Sequence, residues 1–82
     1  MAGFINRNTS GNYHEKFTST LGQTTVTLIN KYDVGKNQLQ VYVENVRQFV
    51  GDDYTETSSN SFTFTESLEA GLEIQVDINK WI

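Results

Sequence analysis

Apolar and polar residues alternate along most of this chain, with the period of two that a β-strand produces. In Leu72–Ile78, for example, every second residue is Leu, Ile or Val, and the residues between them are Glu, Gln and Asp. Such a strand places its apolar side chains on a core and its polar side chains in water. The alternation predicts five strands, the first of them anchored by Phe17: Tyr13–Thr20, Gln23–Asn30, Gln38–Glu44, Ser61–Glu66 and Leu72–Ile78.

The segment between the third and fourth of these strands predicts two turns and two further strands. Glu44-Asn45 is expected to form a two-residue hairpin turn, because Asn tolerates the left-handed backbone conformation that such a turn needs. Val46–Gln48 then begins the return strand. A second turn at Gly51-Asp52-Asp53 leads to a strand starting at Tyr54, and we expect Asp52 or Asp53 to hydrogen-bond the backbone two residues further on.

Short strands at even spacing predict an all-β fold, a small antiparallel β-sandwich of about six to eight short strands. Residues 13–82 are expected to form this single domain, preceded by an N-terminal arm of residues 1–12. Thr65–Gly71 is expected to form one helical turn closed by Gly71. The remaining separators are turn-forming pairs and clusters at Leu21-Gly22, Val34–Asn37, Ser58–Asn60 and Ala70-Gly71.

Composition and charge exclude several classes of protein. The 82 residues include no cysteine, which excludes disulfides and thiolate metal sites. The net charge is −4 and the six Lys and Arg residues are scattered, so no nucleic-acid partner is expected. No apolar run approaches the roughly 20 residues that span a bilayer, and the first residues lack the apolar region of a signal peptide. We therefore expect no membrane partner, and a protein used in a cytosol or in a particle assembled there.

Two groups of residues have the right types for chemistry at a site. Asp52, Asp53 and Glu56 offer oxygen ligands for a cation such as Ca²⁺, but the chain lacks the EF-hand spacing and turn formation explains the aspartates better. His14, the single histidine, lies near Ser10 and Ser19 in the sequence, but a surface position needs no such partner. The chain has no glycine-rich phosphate loop. We predict that it is not an enzyme and that it uses no metal or other cofactor.

Aromatic residues and the arm are the better candidates for binding. Tyr32, Tyr42 and Trp81 are predicted ligand or interface aromatics, because exposed rings stack on sugars or anchor protein interfaces. Tyr54 is predicted to belong to the core. Phe4 and Ile5 stand in an otherwise polar arm, where they would either insert into a neighbouring subunit or belong to an ordinary frayed terminus.

The order of short motifs in Gly22–Val76 resembles a small β-module of tailed-bacteriophage structural proteins, of the tail-fibre, neck-appendage and head-fibre kinds. The residues that carry the resemblance are "GQT", "VGKNQLQVYVENVRQ", "DDYTET", "SFTFTESLEAG" and "EIQV". The chain departs from that family at the hairpin turn, where Glu44-Asn45 replaces the usual Asn-Gly. Family members often continue into long fibres, so the chain is expected to be either a stand-alone virion component or the attachment domain of a longer protein.

The resemblance implies a structural role without catalytic residues. It leads us to expect a virion protein that contacts other virion proteins (capsid, collar or tail subunits) and forms a homo-oligomer. Two alternatives stay open. One is a module that binds carbohydrate or a host receptor, such as a surface glycan, through Tyr32, Tyr42 or Trp81. The other is a small enzyme or accessory domain built on His14 and the acidic residues.

Overall fold

The computed structural model describes residues 12–80, and within that range the chain forms strands, turns and loops but no helix. The helical turn predicted at Thr65–Gly71 is therefore wrong. That segment forms bends and a turn in which Gly71, at φ 85°, donates its N–H to the Ser19 carbonyl. The seven strands are β1 (Asn12–Thr18), β2 (Thr25–Thr27), β3 (Leu39–Val43), β4 (Val46–Gln48), β5 (Tyr54–Ser58), β6 (Ser61–Phe64) and β7 (Glu73–Asn79).

The strands form two antiparallel sheets. One has four strands in the order β1-β7-β3-β4, and the other has three in the order β2-β6-β5. β1 pairs with β7 and β2 pairs with β6, so the first and last strands of the described chain are neighbours in one sheet. Two hairpins, β3–β4 and β5–β6, add the remaining edge strands. The predicted small antiparallel β-sandwich of six to eight short strands is confirmed.

The core lies between the sheets and consists of the residues that the alternation places on one face of each strand. Phe62 packs edge-to-face on both Tyr54 and Phe64, with ring centroids 5.3 Å apart in each case. Because buried side chains come from both sheets, the sheets pack face to face, and Tyr54 is a core residue as predicted. The buried apolar residues are Val26, Leu28, Tyr32, Leu39, Val41, Tyr54, Phe62, Phe64, Ile74, Val76 and Ile78.

The hairpin turn between β3 and β4 is confirmed at Glu44-Asn45. Both residues have positive φ, 50° and 68°, as a type I′ turn requires, and Val43 faces Val46 across the two-residue loop. Asn accepts this conformation readily, but Glu does not. The strain at Glu44 is offset by two hydrogen bonds to Glu73 on the neighbouring β7. Glu44 donates its N–H to the Glu73 carbonyl at 2.9 Å, and its carboxylate accepts the Glu73 N–H at 2.7 Å.

The strand predicted at Gln23–Asn30 is much shorter than expected, since only Thr25–Thr27 pairs as β2. Its inward alternation still holds, because Val26 and Leu28 are both buried. After the strand, Leu28 still donates its N–H to the Asn60 carbonyl at 2.6 Å. The pairing stops there because the following N–H groups, those of Ile29 and Asn30, donate to the carboxylate of Glu15 on β1. A side chain thus takes the hydrogen bonds that a longer strand would give to its neighbour.

Candidate functional site

The two open sides of the sandwich are built differently. On one side, the edge strand β1 is joined to the chain that leaves β2 by Glu15, whose carboxylate accepts the Ile29 N–H at 2.9 Å and the Asn30 N–H at 2.8 Å. On the other side, β4 extends past the three-stranded sheet. Cross-strand partners point to the same face, so Val46, which faces Val43, lies on the inner face of the four-stranded sheet. It is nevertheless 62% exposed, because no strand of the other sheet covers it.

Exposed apolar side chains gather at this uncovered edge. Phe49 and Val50 follow β4 directly and are 55% and 48% exposed. The Arg47 guanidinium lies 5.5 Å from the centroid of the Phe49 ring. Because Arg47 pairs with Tyr42 on the outer face of the sheet, the Phe49 ring lies toward that face of the same edge. We call Val46, Phe49 and Val50 the apolar patch. The other exposed large apolar residues of the described chain belong to separate segments: Tyr13, Leu21, Ile29 and Val34.

A cleft of about 220 Å³ lies next to the apolar patch. Its lining includes the buried ring of Phe64 and the half-buried Leu68, together with the three carboxylates of Asp52, Asp53 and Glu66. We call it the acidic cleft. An apolar floor with several carboxylates favours a ligand that is itself part apolar and part cationic.

Hydrogen bonds hold the walls of the acidic cleft in place. The Asp53 carboxylate accepts the Phe49 N–H at 2.8 Å, and the Asp53 N–H donates to the Phe49 carbonyl at the same distance. Thr65 donates its N–H to the Asp53 carbonyl at 2.9 Å, and Leu68 donates its N–H to the Gln23 carbonyl at 2.9 Å. The turn that carries the apolar patch and the segment that closes the cleft are therefore fixed without a ligand.

The predicted turn role of the aspartates is confirmed for Asp53, but its direction is wrong. Asp53 bonds the N–H of Phe49, four residues before it, rather than a group two residues further on. Gly51, at φ 92°, reverses the chain and brings the Asp53 side chain back to Phe49. Glu56 lies elsewhere, where its carboxylate accepts the Gly35 N–H at 2.6 Å. The three acids do not converge, and among residues 12–80 no three His, Cys, Asp or Glu side chains are placed to hold a metal ion.

His14 lies on the exposed face of β1, where its Nδ1 contacts the Asp77 carboxylate of β7. Ser19 is not near it. Ser19 is five residues, or roughly 16 Å of extended chain, beyond His14. Its hydroxyl donates to the Glu69 carbonyl and accepts the Leu72 N–H at 2.9 Å. Ser10 lies outside the described residues. The structure therefore does not bring His14 and Ser19 together.

The three predicted binding aromatics differ in position. The exposure predicted for Tyr32 is wrong, because its ring is 1% exposed and its hydroxyl donates to the Ser61 carbonyl at 2.7 Å. Burial, with the nearby charge of Glu56, raises the pKa of Tyr32 to about 12. Tyr42 is half-buried on the outer face of the four-stranded sheet, between Arg47 of β4 and Gln75 of β7. Trp81 lies outside the described residues, as do Phe4 and Ile5.

Two features escaped the reasoning from sequence. Glu15 occupies an inward position of β1 and is 6% exposed, although an acidic residue at that position reads as solvent-facing. The apolar patch had a visible signal, since Phe49-Val50 stands beside a glycine turn rather than within an alternating segment. Those two side chains are exposed because no strand of the opposing sheet packs over β4, and the sequence pattern does not predict how the two sheets overlap.

Fold and surface together define a small antiparallel β-sandwich with one open, partly apolar edge. No family model matches the chain, and neither does any curated protein. Within residues 12–80 there is no helix of the length and apolarity needed to cross a membrane.

Proposed function

We propose that this chain is a non-enzymatic structural protein of a bacteriophage virion, serving as a fibre or appendage attachment module or as a decoration of head, collar or tail. It acts through contacts with other virion proteins and is present in several copies. The motifs in Gly22–Val76 that resemble phage structural modules support this role. The observation that carries it is the apolar patch at the open edge of the sandwich.

The apolar patch supports a contact function because it is costly for an isolated domain of this size. An 82-residue chain buries a small core, yet Val46, Phe49 and Val50 stay largely in water. Apolar side chains that cluster on a surface commonly mark a protein interface, and aromatic and Arg side chains such as Phe49 and Arg47 are typical of its centre. Burying the patch against a subunit would remove this exposed surface from water.

The positions of the polar candidates also favour a role without catalysis. His14 pairs with Asp77, while Ser19 is engaged by Glu69 and Leu72 at the far end of β1. A nucleophile and its base need to lie within hydrogen-bonding reach of each other. These two residues each serve a local structural contact instead.

The test is to find the protein in purified phage particles by mass spectrometry and to place it by cryo-electron microscopy. We expect ordered copies at a capsid, collar or tail position, with the apolar patch against a neighbour. Val46→Glu should lower incorporation into particles at least tenfold, whereas Ile29→Glu, at an exposed site on the opposite side of the sandwich, should not. Particles that lack the protein, or equal incorporation of both variants, would refute the proposal.

A second candidate function is carbohydrate or host-receptor binding by the outer face of the four-stranded sheet. The position of Tyr42 favours it, since the ring lies beside the planar side chains of Gln75 and Arg47, which suit stacking on and hydrogen bonding to a sugar. NMR titration with host-surface oligosaccharides at millimolar concentration should then shift Tyr42, and Tyr42→Ala should remove binding while Tyr13→Ala keeps it. No shift at these concentrations would eliminate this function.

A further inference from the structure

We propose that the apolar patch and the acidic cleft together receive residues 4–7 of a second copy of this chain, Phe4-Ile5-Asn6-Arg7. This inference rests on the proposed function, because it names one of the contacts through which copies would assemble. Three features support it: the reach of the chain before β1, the match of apolar residues, and the match of charge.

The reach of the N-terminal segment favours the cleft of a second copy over the cleft of its own chain. Asn12 begins β1, which is separated from β4 by two intervening strands, or about 14 Å across the sheet. Gln48 lines the cleft and pairs with Val41, Val41 pairs with Val76, and Val76 pairs with Glu15. Gln48 is therefore level with Glu15, which is about 10 Å along β1 from Asn12. The straight line between Asn12 and the cleft is therefore about 17 Å and follows the four-stranded sheet.

Arg7 is five residues before Asn12, and a fully extended chain spans at most about 18 Å over five residues. A path over the surface of the sandwich, around its side chains, is longer than the straight line. Arg7 would therefore reach its own cleft only with residues 8–11 almost fully extended, whereas the cleft of a second copy sets no such limit. The cleft lies on the side of the sandwich away from β1, so it stays open to a neighbouring molecule.

The apolar residues of the segment match the patch. Phe4 and Ile5 are the large apolar side chains between Met1 and Asn12, and they are adjacent. Val46 lies on the uncovered inner face of β4, and Phe49 and Val50 are exposed just past the end of that strand, along the same edge of the sandwich. An extended segment laid beside β4 would run along this edge, where the unpaired side of the strand also offers it backbone hydrogen bonds.

The charges match as well. Arg7 is the single charged side chain among residues 1–11, and the acidic cleft presents Asp52, Asp53 and Glu66. In an extended strand Ile5 and Arg7 point to the same side, about 7 Å apart, which suits an apolar contact next to a guanidinium site. The guanidinium group pairs well with carboxylates because its planar donors reach two oxygens at once.

The absence of cysteine from the chain allows a direct test by disulfide cross-linking of full-length protein. One preparation carries Ile5→Cys and another carries Val46→Cys, and the two are mixed under mild oxidation. We expect a covalent heterodimer on a non-reducing gel, at a yield at least tenfold above a matched mixture in which Ile29→Cys replaces Val46→Cys. Ile29 is exposed and lies on the opposite side of the sandwich, beside Glu15.

Charge variants test the role of the cleft. Adding Arg7→Glu to the Ile5→Cys chain should lower the yield at least fivefold, and adding Glu66→Arg to the Val46→Cys chain should restore it. Equal yields with Val46→Cys and Ile29→Cys would overturn the inference. So would a concentration-independent disulfide within one chain that carries both Ile5→Cys and Val46→Cys, because the segment would then occupy its own cleft.

The outcome is separable from that of the proposed function. Loss of particle incorporation in Val46→Glu without any specific cross-link would keep the virion role and reject the N-terminal segment as the occupant. A specific cross-link in a protein that is absent from particles would keep the contact between copies and reject the virion role.

Discussion

Glu15 is the residue whose replacement tests the account of this fold most directly. Its carboxylate accepts three N–H groups: the Ile29 backbone at 2.9 Å, the Asn30 backbone at 2.8 Å and the Asn30 side chain at 2.8 Å. These bonds join the edge strand β1 of one sheet to the chain that leaves β2, an edge strand of the other. Removal of the carboxylate should therefore loosen this side of the sandwich.

The expected magnitude follows from the type and exposure of these bonds. A hydrogen bond to a charged group contributes about 1.5–3 kcal/mol, and three of them would exceed 4 kcal/mol if no water replaced them. Ile29 is exposed, so its freed N–H can bind water, and part of the loss is recovered. We expect Glu15→Ala to lower the free energy of unfolding by about 2–4 kcal/mol. Glu15→Gln keeps one acceptor oxygen and should cost about 1–2 kcal/mol.

Urea unfolding followed by circular dichroism measures this change. With a slope near 1 kcal/mol per molar urea, as small domains have, Glu15→Ala should lower the midpoint by about 2 M or more. Hydrogen exchange gives a local readout, since the amides of Ile29 and Asn30 should exchange much faster in Glu15→Ala. Glu69→Ala, which removes the same charge from an exposed loop, is the control and should change stability by less than about 0.5 kcal/mol.

A Glu15→Ala variant within about 0.5 kcal/mol of the parent protein would refute this reasoning, because the three bonds would then contribute nothing net. Unchanged exchange at Ile29 and Asn30 would refute it separately, by showing that other groups hold the end of β2.

Three further predictions concern the core, the hairpin and the buried tyrosines. Phe62→Ala should destabilise the protein by about 3–5 kcal/mol in urea unfolding, because it leaves a cavity at the centre of the aromatic cluster. Phe49→Ala, at an exposed site, should cost less than about 1 kcal/mol, and similar costs for the two variants would contradict the assigned burial. Asn45→Gly should be neutral or stabilising by up to about 0.5 kcal/mol, and Asn45→Val should be destabilising by about 1–2 kcal/mol, since φ is 68°; the reverse order would exclude the left-handed turn. Burial raises the pKa of Tyr32 and Tyr54 to about 12, so between their ordinary value of 10.0 and about 12 the unfolded chain releases protons that the folded protein keeps. Stability that is fully present below pH 10 should therefore fall by up to about 1.4 kcal/mol per pH unit for each tyrosine, and an equal alkaline loss in the Tyr32→Phe, Tyr54→Phe double variant would contradict this.

The alternation of residues determined the strands and the core because side-chain direction along a strand is a local property. Val26, Leu39, Phe62 and Ile74 are buried on the faces where the period of two puts them. The hairpin at Glu44-Asn45 is also local, since it depends on two residues and the short strands beside them. Such features require no knowledge of which distant strands meet.

Tertiary structure decided everything that depends on strands far apart in the chain. Tyr32 is buried because its loop lies against the start of β6, where the Ser61 carbonyl accepts a hydrogen bond from the Tyr32 hydroxyl. Glu15 is buried because the chain after β2 passes beside β1, where the N–H groups of Ile29 and Asn30 donate to the Glu15 carboxylate. These two hydrogen bonds also limit the length of β2.

The open edge has the same origin. Four strands pack over three, and β4 is the strand left without cover, so Val46 and its neighbours face water. The acidic cleft forms only where the turn after β4 meets the segment after β6. The sequence by itself thus determined which residues point inward along each strand. Only the packing of the two sheets decided which of those inward positions are covered, because coverage depends on the number and order of strands in the opposing sheet.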